Sequence, residues 1–138
     1  MRGPMSDYFR RRRAFVVDAD PSTRADYGAA LTAYGFDVFE SSSAADAHRD
    51  ASACEPDVVI VIVPEAPEGA AAAIDLLRRL QRGAVSRAPV LVVAPESQLD
   101  DVAALLDVTG GLVVAAPARP LDVVLGARKL AREVFAVR

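Results

Sequence analysis

Residues 58–69 read VVIVIVPEAPEG, an unbroken β-branched run that ends in a loop of prolines and glutamates. A strand with no polar alternation is apolar on both faces, so both faces must be covered. That pattern belongs to a parallel sheet with helices above and below it. Ligands in such sheets bind beyond the carboxyl ends of the strands, at the switch in strand order. The tip formed by Ile62, Val63, Pro64 and Glu65 is therefore where a reactive side chain is expected. From Val58 to Val63, no side chain can accept, donate or coordinate anything.

Extended and helical signals alternate outward from this strand. Ala14 to Asp18 (AFVVD) reads as a strand. Asp20 can then cap a helix whose first turn suits Pro21, and that helix stops at Gly35. Asp37 to Glu40 is a short second strand. Ser43 caps a second helix, with Asp46 favouring its N-terminus and Cys54 near its end. Beyond the central strand, Glu68 to Arg82 is a third helix with Ile74, Leu77 and Leu80 at helical spacing. Val90 to Ala94 is a fourth strand. Ser97 is expected to cap a fourth helix reaching about Val108, and Thr109-Gly110-Gly111 reads as a turn. Leu112 to Ala115 is a fifth strand, and Pro120 opens a last helix to about Val134. Five strands alternating with five helices predict an α/β fold, a five-stranded parallel sheet with helices on both faces and right-handed crossovers.

Size and composition narrow the function classes. The chain has 138 residues, which suits one domain. We expect an arginine-rich flank over 1–13 and the folded domain over 14–138, standing alone with no output domain. Hydrophobic content of 52% and charged content of 25% indicate a globular chain. A net charge of −3 argues against non-specific nucleic-acid binding. Cys54 is the only cysteine, so no internal disulfide forms, which fits a reducing cytosol. No apolar run approaches the roughly 20 residues of a membrane span, and none behind the arginine run suits a signal peptide. A cytoplasmic protein without membrane insertion is expected.

The layout resembles a known family. AFVVDADPSTR is similar to the opening of the receiver domain of two-component response regulators. EPDVVIVIV is similar to that family's third strand, APVLVVAPES to its fourth, and ARPLDVVL to the step into its last helix. The resemblance covers nearly the whole chain after residue 13 and implies a (βα)5, flavodoxin-like receiver fold. It also implies a set of active residues, which this chain lacks. Of the adjacent acids that hold Mg²⁺ in the family, Asp18 matches the first, but Ala19 takes the place of the second and Asp20 lies one step further on. Counting from Pro56-Asp57, the phospho-accepting aspartate falls at Ile62, and a shift by one gives Val61 or Val63. The family's hydroxyl falls at Ala94. Its lysine falls at Arg119 if the preceding loop is longer than usual, or at Ala116 without that insertion. The aromatic switch falls near Val113 or Val114.

Phosphoryl transfer to a receiver needs a carboxylate nucleophile, a divalent ion and cations that neutralise charge. Ile62 has no lone pair, and Asp18 and Asp20 alone supply too few oxygens for octahedral Mg²⁺. We therefore expect no phospho-acceptor, catalytic residue, metal site or cofactor. Asp18 is expected to pair with Arg119 or solvent. The degenerate pocket of Asp18, Ala19, Asp20, Ile62, Ala94 and Arg119 is expected to be a packed tip.

The other constellations have plainer readings. His48 reads as a partly buried side chain of the second helix, and Cys54 as a small, partly buried thiol with Glu55 raising its pKa. Gly110-Gly111 precedes a strand and matches no phosphate loop. Arg10 to Arg13 reads as a solvated flank. Leu121, Val123, Val124 and Leu125 crowd one turn of the last helix, and a single face cannot bury them all. Val123, Ala127, Leu130 and Val134 form the expected inward stripe. Leu99, Val124, Leu125 and Arg128 are the candidates for a partner surface. The resemblance implies that the side formed by the fourth helix, fifth strand and fifth helix meets partners or a second copy. The expectation is a degenerate receiver, a pseudo-receiver, acting in bacterial signal transduction through phosphorylation-independent contact with a protein partner. The alternative is a module on the same fold that binds a small molecule or nucleotide.

Overall fold

The computed structural model describes residues 11–81, 88–106 and 111–136, with the side chains of all of these except Gln81 and 132–136. In chain order the elements are β1 (Arg13–Val17), α1 (Pro21–Ala33), β2 (Asp37–Ser41), α2 (Ala44–Cys54), β3 (Val58–Ile62), α3 (Pro67–Gln81), β4 (Val90–Ala94), a 3₁₀ turn (Glu96–Gln98), α4 (Leu99–Leu106), β5 (Leu112–Ala115) and α5 (Pro120–Ala136). The strands form one parallel sheet in the order β2-β1-β3-β4-β5. The chain leaves β1 for β2 on one side and returns to β3 on the other, so the switch in strand order lies between β1 and β3.

Period-two alternation along the strands divides the core. Phe15, Val17, Val59, Val61 and Val92 meet Ala47, Ala51, Ala73, Leu76, Leu77, Val102 and Leu106 of α2, α3 and α4. Ala14, Val16, Val58, Ile60, Leu91 and Val93 meet Tyr27, Leu31, Val123, Val124, Ala127 and Leu130 of α1 and α5 on the opposite face. The apolar run of β3 thus serves two cores at once, as its lack of alternation predicts.

Local chemistry sets most of the boundaries. The Asp20 side chain accepts from Ser22 N at 2.8 Å, with Pro21 in the first turn. Gly35 takes the left-handed conformation at φ 97° just past α1, where its lack of a Cβ removes the steric penalty. Ser43 caps α2 as expected, accepting from Asp46 N at 3.4 Å.

Four expectations are corrected. Ser97 caps nothing: it lies inside the 3₁₀ turn, where Gln98 N donates to Pro95 O at 2.8 Å, and α4 starts at Leu99. The tight turn satisfies that donor without a side-chain cap. In α3, Ile74 is only half-buried and Leu76 joins Leu77 and Leu80 inside, because α3 packs on the flank of Ala70 and Ala73. Val124 is fully buried, so it cannot belong to a partner surface, whereas Leu125 is 54% exposed. Arg13 is no flank residue. It opens β1, its N donates to Asp57 Oδ2 at 2.7 Å, and Asp57 N donates back to Arg13 O at 2.8 Å. Arg10, Arg82, Val108, Thr109 and Gly110, and the side chain of Val134, lie outside the described residues.

Candidate functional site

The carboxyl ends of β1, β3 and β5 and the loops after them enclose a cavity of about 630 Å³ at the switch in strand order. Asp18, Ala19 and Asp20 line it from the first loop, Ile62, Pro64 and Glu65 from the third, and Ala116 and Pro117 from the fifth, with Thr23 and Tyr27 of α1 on one wall. The expected packed tip is therefore corrected. The apolar replacements Ala19 and Ala116 are small and exposed, so they leave space where longer side chains would reach inward. Ile62 is half-buried at the cavity floor, on the α1 and α5 side of the sheet. Ala94 is completely buried and is not among the residues described as lining the cavity.

Asp18 is 3% exposed and is held by its own loop. Its Oδ1 accepts from Asp20 N at 3.0 Å, and its Oδ2 accepts from the Thr23 hydroxyl at 2.5 Å. The first bond closes an Asx turn, in which an aspartate carboxylate replaces a backbone acceptor two residues on. Arg24 Nη1 donates to the Asp18 carbonyl at 2.8 Å, while Arg24 Nε lies 3.3 Å from Glu40 Oε1. Thr23 escaped sequence reasoning, although its place on the first turn of α1 aims a hydroxyl back at the loop. Tyr27 escaped it as well. Four residues on, it faces the same way, and its hydroxyl donates to Ala118 O at 2.9 Å, tying α1 to the loop before α5. Burial above all, and then the charges of Asp18, Asp26 and Asp122, push the Tyr27 phenol up.

The expected pairing of Asp18 with Arg119 does not occur. Arg119 is exposed to solvent and forms a two-pronged pair with Asp122, Nε to Oδ2 and Nη2 to Oδ1, both at 3.2 Å. The two are three residues apart, Arg119 just before α5 and Asp122 in its first turn, and local geometry outcompetes a longer reach to the tip. Its hydrogen bonds hold the Asp122 carboxyl below its usual value and raise the Arg119 guanidinium. Ala116 follows β5 directly, its N donating to Ala94 O at 2.8 Å, and it lies in the cavity wall.

The donor set does not fit the Mg²⁺ ion of the family. Both Asp18 oxygens carry a donor from the chain, and Asp20 is engaged as the helix cap. No group of three or more His, Cys, Asp or Glu side chains among the described residues could hold a metal ion. His48 is half-buried on α2, away from the tip. Cys54 is half-buried and its Sγ lies 3.7 Å from Ala51 O. Burial above all raises its thiol pKa, Asp50 and Asp57 add to that, and Arg13 opposes it, so the rise comes from burial and these aspartates where Glu55 was the expected cause.

The other candidate surface lies on α4, β5 and α5. Leu121 is 44% exposed and Leu125 54%, one turn apart on α5, with Arg128 exposed beyond them. Leu99 is half-buried against the core. β5 is an edge strand, and Leu112, Val113 and Val114 on it are half-buried. No helix among the described residues is long and apolar enough to cross a membrane.

No family model matches the sequence, and no curated protein matches it. Solved structures do match the fold. A CheY-like response regulator receiver domain protein from Methanospirillum hungatei superposes with a TM-score of 0.78 at 14% identity, covering 94% of this chain and 100% of that one. A response regulator receiver domain protein from Clostridium thermocellum gives 0.73 at 19% identity, over 92% of this chain and 99% of that one. A response regulator from Desulfuromonas acetoxidans gives 0.66 at 24% identity, over 91% and 98%. The chain has the (βα)5 fold of receiver domains.

Proposed function

We propose that this receiver-like domain is a pseudo-receiver that signals by contact with a protein partner and takes no phosphoryl group. One observation carries the reading: Ile62 occupies the floor of the strand-tip cavity, where the family places its acceptor aspartate. Its neighbours Val61 and Val63 are buried, and Val61 packs in the core on the other side of the sheet. An aliphatic carbon cannot attack phosphorus, so the step that defines the family has no nucleophile. Ala19 and Ala94 stand where the resemblance places the family's second acid and its hydroxyl, and its lysine falls at Ala116 or Arg119. The exposed leucines of α5 supply a contact surface on the side where receivers meet partners. The domain works as a bacterial, cytoplasmic binding module and not as an enzyme.

Incubation with Mg²⁺ and acetyl phosphate or beryllofluoride tests this directly. The expected outcome is an unchanged intact mass and no Mg²⁺-dependent binding. A phosphoryl mass gain on any carboxylate would refute the reading.

The open cavity favours a second reading, a ligand-binding module on the same fold. A volume of about 630 Å³ lies within the usual 300–1,000 Å³ range of small-molecule sites. This reading and the first are compatible, since a ligand at the tip would be a way to bias the partner surface.

A further inference from the structure

We infer that the strand-tip cavity is a site for a small organic cation, an ammonium, amidinium or guanidinium group on an apolar body. The inference rests on the second reading above and specifies its ligand. The walls come from Ile62, Val93, Pro64 and Pro117, together with Tyr27. These surfaces suit an apolar body of drug-like size. The charged side chains among the described lining residues are Asp18, Asp20 and Glu65, all carboxylates.

The nearby cations are directed elsewhere. Arg119 is bound to Asp122 and is 81% exposed. Arg24 spends its guanidinium on the Asp18 carbonyl and on Glu40. Glu65, at the mouth, has no ion pair or hydrogen bond among the described residues. Asp18 sits beneath the surface, in a setting where carboxylates interact with a nearby cation more strongly than in water. The carboxylates of the lining thus attract positive charge and disfavour phosphates, nucleotides and other anions. Mg²⁺ needs several oxygens in a tight octahedron, a demand the engaged oxygens of Asp18 and Asp20 do not meet. A bulky, weakly hydrated cation needs only an acidic rim and an apolar wall.

Benzamidine, benzoate and benzyl alcohol share one ring and differ in charge, so they separate the contribution of charge from that of shape. Binding is read by calorimetry and thermal shift on the full chain. Benzamidine is expected to raise the melting midpoint and to bind at least about tenfold more tightly than the other two, a difference of about 1.4 kcal/mol. The double variant Asp20→Asn/Glu65→Gln keeps the helix cap, since asparagine caps as well as aspartate. It is expected to lose about tenfold in benzamidine affinity. Ala116→Phe fills the mouth from an exposed position and is expected to abolish binding while circular dichroism stays unchanged.

If benzoate or benzyl alcohol binds as tightly as benzamidine, and Ala116→Phe blocks it, the charge inference fails while the ligand-binding reading stands. If none of the three binds at millimolar concentration, or if benzamidine binds Ala116→Phe undiminished, both fail.

Discussion

Asp18 carries most of the information at the scale of single residues. In the sequence it matches the first of the family's two metal-holding acids. In the structure it is an acceptor that holds the β1–α1 loop through Asp20 N and Thr23. Asp18→Ala strips the acceptor from the Asp20 N–H and the Thr23 hydroxyl, and a hydrogen bond to a charged group contributes about 1.5–3 kcal/mol. Urea denaturation of Asp18→Ala is expected to show a loss of that size, and the same loss with and without Mg²⁺.

Cys54 offers a second residue-scale check. Burial raises its pKa, so the thiol stays protonated to higher pH in the fold than in the unfolded chain. Its contribution is complete below the unfolded value, about 8.5, and is lost as pH rises through the higher folded value. Alkylation by iodoacetamide followed against pH should give a midpoint above about 8.5 in the native protein and near it in urea. The alkaline decline in stability should be shallower in Cys54→Ser.

Elements were legible where their signals are local. The caps at Asp20 and Ser43, the stop at Gly35, and strands β4 and β5 follow from residues within a few positions of each boundary. The 3₁₀ turn before α4 was not legible, because Ser97 offers a good cap that the tighter backbone turn makes unnecessary. Nor was the two-way bond between Arg13 and Asp57, which joins the starts of β1 and β3 across a long sequence separation.

The junction into β5 carries a prediction that belongs to elements. A Cβ on Gly111 would fall 2.6 Å from the backbone carbonyl of Val90 and 3.0 Å from Leu106 Cδ2. The backbone of β4 cannot yield as a side-chain tip can. Gly111→Ala is therefore expected to cost about 1–3 kcal/mol in equilibrium unfolding, as overpacked sites do. Gly126→Ala should cost less, since its nearest neighbours, at 3.1 Å, are the side-chain ends of Leu112 and Leu91.

At the scale of the whole molecule, two surfaces stand out among the described residues: the acid-rimmed cavity at the strand tips and the leucine pair on α5. Leu121 and Leu125 are large, exposed and adjacent, and burying them against a partner would remove apolar surface from water. If that face holds a second copy, Leu125→Glu should shift the light-scattering mass toward the monomer while leaving the melting midpoint within about 2 °C, because surface substitutions away from special features lie within about 0.5 kcal/mol. Val124→Glu should unfold the protein instead, since Val124 lies wholly in the core. The amino-acid sequence by itself determined the order of the elements, the two-faced burial of β3 and the absence of a carboxylate at Ile62. Those properties depend on residue identity and on periodicities of two and 3.6, which neighbouring positions carry. Only the tertiary structure decided that the tip is open, that Arg119 turns to Asp122, that Asp18 belongs to its own loop, and that Val124 points inward while Leu125 points out. Each of these depends on distances between segments that meet only after the sheet has formed.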